Sequence, residues 1–356
     1  HLRAAAGPAD LRLRERPVRV TTALLESPAG GAPPPDEPRP ISRKPTGGDA
    51  VFVNTFRVIG ASVLVITGGI GVFLAYQGWP TLHHYGFSFF TTRTWNPDTD
   101  TLGIAAVVVG TIEVAAVAMV LAFPLAIATA LYITEYAPAQ LRSSLVAAID
   151  LMAAVPSIVY GLWGFFLIEP HASQFAVFLQ RNFGWFPPFH VDANPNAAVP
   201  DISRYTASAF IAGIVVSMMV MPMACAVMRQ VFSQTPEGEK EGALALGSTK
   251  WGMIRTVVLP FGRGGIIGGG MLALGRALGE TIAVLLIVSP EFVIKGRILE
   301  IGTDTVSALI ASQFGEATGI QLSALLTAGF VLFVITLLVN TLAAIVVNRS
   351  RSGADS

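Results

Sequence analysis

Six stretches of the chain stay apolar for about the 20 residues that a bilayer-crossing helix needs at 1.5 Å per residue: roughly 53–76, 104–133, 145–168, 206–228, 264–289 and 324–347. Pro124, Pro156 and Pro222 fall inside the second, third and fourth stretches, where kinks are expected. The fifth carries Gly264, Gly265, Gly268, Gly269, Gly270, Gly275 and Gly279, several of them four residues apart. That spacing lets helix backbones approach closely and predicts a central place in the bundle.

Composition sharpens this reading. The 356 residues are 53% hydrophobic and 13% charged, with a mean hydropathy of +0.62, far from an ordinary soluble domain. A formal net charge of zero gives no pointer to nucleic acid. The one cysteine, Cys225, excludes an internal disulfide and reads as a buried thiol among Met and Val. Residues 1–50, rich in Arg, Pro, Gly and Ala, predict a disordered cytoplasmic tail with no signal-peptide-like apolar region. Residues 51–350 form the expected all-α membrane-spanning domain, and 351–356 a second short tail.

Charge distribution predicts orientation. With the amino terminus inside, the inner segments hold 16 Lys and Arg; the outer ones hold Arg93, Arg181, Arg204, Lys295 and Arg297. Discounting the long tail leaves eight against five, so both termini are expected in the cytoplasm. The outer connections, about 77–103, 169–205 and 290–323, carry Trp79, Trp95 and Trp185. They read either as a docking surface or as an aromatic belt with solvated loops.

The longest inner loop, 229–263, contains two helix signals. Pro236 with Glu237 and Glu239 starts one helix, Gly247 stops it, and a second amphipathic segment runs from Thr249 to Val258. Taken alone, this is a surface loop of two short helices. Glu241, Ala243 and Gly247, then nine residues, then Val257-x-Leu259-Pro260, resemble the EAA signature of bacterial ABC importer permeases. In that family the loop docks on a separate ATPase. Gly242 departs from the general signature and matches the phosphate-importer branch. Trp95-Asn96-Pro97, Glu135-Tyr136-Ala137-Pro138, the run from Ala154 to Gly164, and Gly275-Arg276-Ala277-Leu278-Gly279-Glu280-Thr281 resemble the PstC-type subunits of that branch, in order over roughly residues 50–350.

The resemblance implies a type I permease fold and a membrane subunit that moves inorganic phosphate inward. It also implies a homologous second permease subunit, a dimer of ATPase subunits holding ATP and Mg, and an extracytoplasmic phosphate-binding protein. This chain would bind no cofactor and break no bonds. Gly242 to Lys250 misses the nucleotide-binding loop because Ser248, not Lys, follows the second Gly. Importers of sulfate or molybdate share the EAA loop, and a secondary transporter would lack any need for it.

Charged residues within the spans are costly and mark pathways or internal pairs. Arg276 lies 12 residues past Gly264, about 18 Å into a continuous helix. Glu280 would then follow one turn later on the same face, able to pair with it. The residues alone leave a structural pair and a pathway both open; the resemblance implicates Arg276 and Glu280 in phosphate passage. Glu113, which the family pattern does not predict, either partners Arg276 or faces water. Asp150 reads as interfacial, and His83, His84, His190 and Asp192 as solvated loop residues. No metal site is expected.

Overall fold

The computed structural model describes residues 47–197 and 200–351. The tail expected over 1–50 lies, up to residue 46, outside the described residues, as does 352–356 at the other end. The chain divides into two units, residues 1–62 and Val63–Ser356. Of the first, only the opening of helix α1 (Gly48–Tyr85) is described.

The second unit is nearly all helical. After α1, two-residue strands pair Trp95 with Leu102 and Asn96 with Thr101. Then come α2 (Ala105–Leu131), extended by a π-helical turn over Tyr132–Tyr136, α3 (Ala139–Ala154), α4 (Ser157–Trp163) and α5 (Glu169–Phe183). The chain continues through α6 (Ala209–Phe232), α7 (Glu237–Ala245), α8 (Arg263–Leu278), α9 (Val306–Gln313) and α10 (Gly319–Arg351). Among the described residues four helices, Gly48–Tyr85, Ala105–Tyr136, Ala209–Phe232 and Gly319–Leu342, are long and apolar enough to cross a membrane. Two bent pairs raise the number to six if each counts as one span.

Those bent pairs correct two expectations. The stretch expected as one span over 145–168 breaks after Ala154 and turns by 92° between Ala139–Ala154 and Ser157–Phe183. Pro156 explains the break: it disfavours helical geometry at Val155, whose ψ is 130°, and cannot donate to the preceding turn. Helices α2 and α6 continue past Pro124 and Pro222. The span expected over 264–289 stops at Leu278, because Gly279 caps α8 and a separate short turn begins at Ile282. Its helical partner lies on the other side: Lys250–Phe261 meets α8 at a 69° bend.

The core forms where α2, α6 and α8 meet. In α2, Ala118, Ala122, Ala126 and Ala130 are wholly buried at four-residue spacing, a smooth stripe along one helix face. Gly213 of α6 belongs to the same contact, since a Cβ there would collide with Val117 of α2. Such closeness matters in lipid, where helices gain little from hiding apolar surface and must associate by packing. The glycines of α8 play the expected role in part. A Cβ on Gly269 would sit 3.0 Å from the Ala224 carbonyl of α6, whereas Gly268 faces open space.

Candidate functional site

Two places in the unit bring the sequence-selected residues together. The first is the 229–263 segment. Helix α7 starts behind Pro236 and ends in a left-handed glycine, Gly247, at φ 88°. Gly247 N–H donates to the Leu244 carbonyl at 2.9 Å and Ser248 N–H to the Ala243 carbonyl at 3.1 Å, the paired bonds of a Schellman end. Any side chain at 247 would strain that turn. Thr249 then caps the next helix, its hydroxyl accepting from Gly252 N–H at 3.1 Å. Of the selected residues, Glu241, Gly247 and Pro260 are exposed, and Ala243 and Leu259 half-buried. Leu246, 91% exposed, and the exposed Leu244 and Trp251 are uncovered apolar side chains of this segment. Met253, Ile254 and Val258 face the other way, into the core.

The second place is an open cavity of about 420 Å³ at the end of α8. Arg276, Gly279, Glu280, Met223 and Asn340 line it. The expectation of an Arg276–Glu280 pair on one helix face does not hold, because the helix ends between them. Among the described residues the two make no ion pair. Arg276 Nη2 reaches only the Met219 sulfur at 3.7 Å, while Glu280 is buried and its carboxylate accepts from Ala283 N–H at 3.3 Å. Glu280 therefore caps the turn that follows and leaves Arg276 exposed to the cavity. Asn340 escaped the sequence reading, although it is a lone amide within the apolar run of α10.

Glu113 is elsewhere. It lines a different, small cavity near the start of α2, with Gly110, Lys295, Arg297 and Asp304, and among the described residues makes no ion pair with Arg276. The segment 286–305 that closes this end is held by ion pairs. Lys295 sits 2.9 Å from Glu291 and 3.3 Å from Glu300, and Arg297 bonds Glu300 at 3.1 Å and Asp192. The Arg297 hydrogen bond holds the Asp192 carboxyl below its usual range. Burial pushes Asp304 up to about 7, against the hydrogen bond it accepts from Thr305 N–H. Asp150 meets Arg229 at 3.5 Å, and His84 and His190 lie near Asp100 and Asp192. Among the described residues no three His, Cys, Asp or Glu converge as metal ligands would.

With this geometry in hand, comparison with known proteins is informative. Residues 122–352 match the family described as binding-protein-dependent transport system inner membrane component. The phosphate transport system permease protein PstC of Mesorhizobium japonicum is 37% identical over 311 residues, covering 86% of this chain and 92% of that one. PstC 2 of Mycobacterium tuberculosis is 37% identical over 310 residues, covering 86% and 94%. Among solved structures, a chain of a bacterial alginate ABC transporter, crystallised with an alginate pentasaccharide-bound periplasmic protein, overlays with a TM-score of 0.53 at 15% identity. It covers 82% of this chain and 94% of that chain, and shows a shared permease fold. This multi-pass membrane chain is thus a transport subunit and belongs to the family of inner membrane components of binding-protein-dependent transport systems.

Proposed function

We propose that this chain is the membrane subunit through which an ATP-driven importer passes inorganic phosphate into the cytoplasm. The observation that carries the reading is the 37% identity, over 86% of the chain, to relatives named phosphate transport system permease. The site chemistry agrees with it. Arg276 offers a planar guanidinium fork, suited to an oxyanion, and lines a cavity with no ion pair to a carboxylate among the described residues.

In this proposal a second, homologous permease subunit completes the pathway. A phosphate-binding protein delivers solute to the end closed by residues 286–305, where Glu113 lies. Two ATPase subunits, holding ATP and Mg that this chain does not bind, dock on the exposed side chains Glu241, Leu244, Leu246 and Trp251. Both termini then face the cytoplasm of a bacterium, as the positive-inside rule requires. ATP-driven closure displaces residues 237–260, and the bend at Gly262 passes the motion into α8, which carries Arg276.

The test is uptake by the complex reconstituted with its ATPase, second permease and binding protein. Phosphate, and not sulfate, is expected to stimulate ATP hydrolysis; stimulation by sulfate alone would overturn the assignment. Arg276→Gln should abolish uptake in an assembled complex, with Arg276→Lys recovering part of it. Glu280 already has its own hydrogen bond, so no compensating change at 280 is needed. Full uptake by Arg276→Gln removes that residue from the pathway.

A further inference from the structure

Besides its covalent joins to α6 and α8, the segment assigned to the ATPase is held to the bundle non-covalently. Its chain continuation through Gly262 leads into α8. The non-covalent tie is made by side chains. Lys240, on the inward face of α7, places Nζ 3.1 Å from Glu135 Oε1, with side chains only 11% and 6% exposed. Glu135 lies in the π-helical turn that ends α2. One residue on, Lys250 places its ammonium 4.7 Å from the centre of the Tyr136 ring. Both helices of the 229–263 segment thus grip one turn of α2, and beneath the grip Met253 and Ile254 share a buried cluster with Ile133.

The grip is specific. Arg142 of α3 also holds this turn, donating to the Thr134 carbonyl at 2.6 Å. Glu237 also approaches Lys240, at 3.5 Å, but is 79% exposed and contributes little. A pair as enclosed as Lys240–Glu135 acts differently from surface charges, because removing one member strands the other away from water. Helix α2 is also anchored at its far end. The Thr111 hydroxyl accepts from Val306 N–H at 3.0 Å, and Gly110 lies so close to the Asp304 carbonyl that a Cβ would collide. A displacement gripped at residues 135–136 therefore reaches the start of α2, where Glu113 and residues 303–306 lie.

We infer that Lys240 and Glu135 are positioning residues that deliver ATPase-driven motion to α2, in parallel with the covalent route into α8. The inference rests on the reading of 237–260 as the ATPase-coupling element. Neither residue lines the Arg276 cavity, so the effect is on coupling: phosphate moved per ATP hydrolysed.

The experiment measures uptake and ATP hydrolysis together in proteoliposomes of the full complex. All variants carry Glu237→Gln, which removes the like-charge clash that a swap at 240 would create. Glu135→Gln, which keeps a hydrogen bond from Lys240, and Lys240→Met should each lower phosphate per ATP about tenfold, and the swap Lys240→Glu with Glu135→Lys should recover at least about half of it. A pair with a merely structural role would lower yield, uptake and hydrolysis in step and leave the ratio alone. An unchanged ratio in Glu135→Gln overturns the inference, as does an assembled swap variant that recovers nothing. Gly247→Asp separates the two levels. Normal uptake there defeats the coupling reading itself, whereas lost uptake there with an unchanged ratio in Glu135→Gln defeats only the grip.

Discussion

Helices α1 and α6 are equally apolar and differently used. Their most hydrophobic windows both average 2.3 in hydropathy, yet 67% of the α6 window is buried and only 6% of the α1 window. Leu64, Val65, Ile66 and Val72 of α1 are more than 60% exposed, and within Val63–Tyr85 only Gly71, Gly78 and Thr81 are buried. Those three meet α10 along a narrow stripe, where Thr81 donates to Ser323 at 2.8 Å. By contrast, α6 buries Ala209, Ala212, Gly213, Ser217 and Ala224 among its larger side chains. Apolar composition selects the solvent; small residues at the right spacing select the neighbour. That division follows from lipid being as apolar as leucine, so that only close packing and hydrogen bonds favour one helix over the bilayer.

The contrast is sharpest at Gly213. Gly213→Leu should drive a side chain into Val117 and cost about 3 kcal/mol or more, leaving little monodisperse protein on size-exclusion chromatography in detergent. A well-folded Gly213→Leu would break the claim that α6 is held by close approach. Next in size is a pH effect at the buried Asp304, in the segment that closes the Glu113 end of α2. Because the folded pKa of Asp304 is raised to about 7, its contribution to stability is complete below about pH 4, where both states are protonated. It declines as pH rises to about 7, on the order of a few kcal/mol, and is constant above. The thermal midpoint in detergent should follow that curve, and Asp304→Asn should flatten it.

Smaller effects probe α1. Gly78→Ala places a Cβ 2.6 Å from the Thr327 hydroxyl and should cost about 1–2 kcal/mol in a thermal or denaturant unfolding series. Gly68→Ala meets nothing within 4 Å and should change stability by less than about 1 kcal/mol. Equal costs at 68 and 78 would show that the stripe is not the basis of the α1 contact.

Much of the site was legible because its signals are local. Pro236, Gly247 and Thr249 act on their own backbones, and the start, left-handed stop and restart of the 229–263 segment appear where these residues stand. The Arg276–Glu280 reading failed for a related reason. It assumed a helix running through Gly279, whereas Gly279 caps α8 and Glu280 begins a new turn. The alanine stripe of α2 was hidden because alanines in an apolar span carry no contrast with their surroundings. Lys240 and Glu135 are separated by 105 residues, and no spacing rule connects them.

By itself the sequence determined the membrane as solvent, the apolar stretches available to cross it, the local starts and stops of the 229–263 segment, and through five ordered motifs the family. These depend on chain length, side-chain hydropathy and backbone preferences, which act over a few residues. Only the tertiary structure decided which equally apolar helix is central, that Arg276 faces a cavity without Glu280 as its partner, and that α7 grips the end of α2. Those outcomes depend on which atoms meet across distant segments, where a single Cβ or an unpaired charge changes the balance.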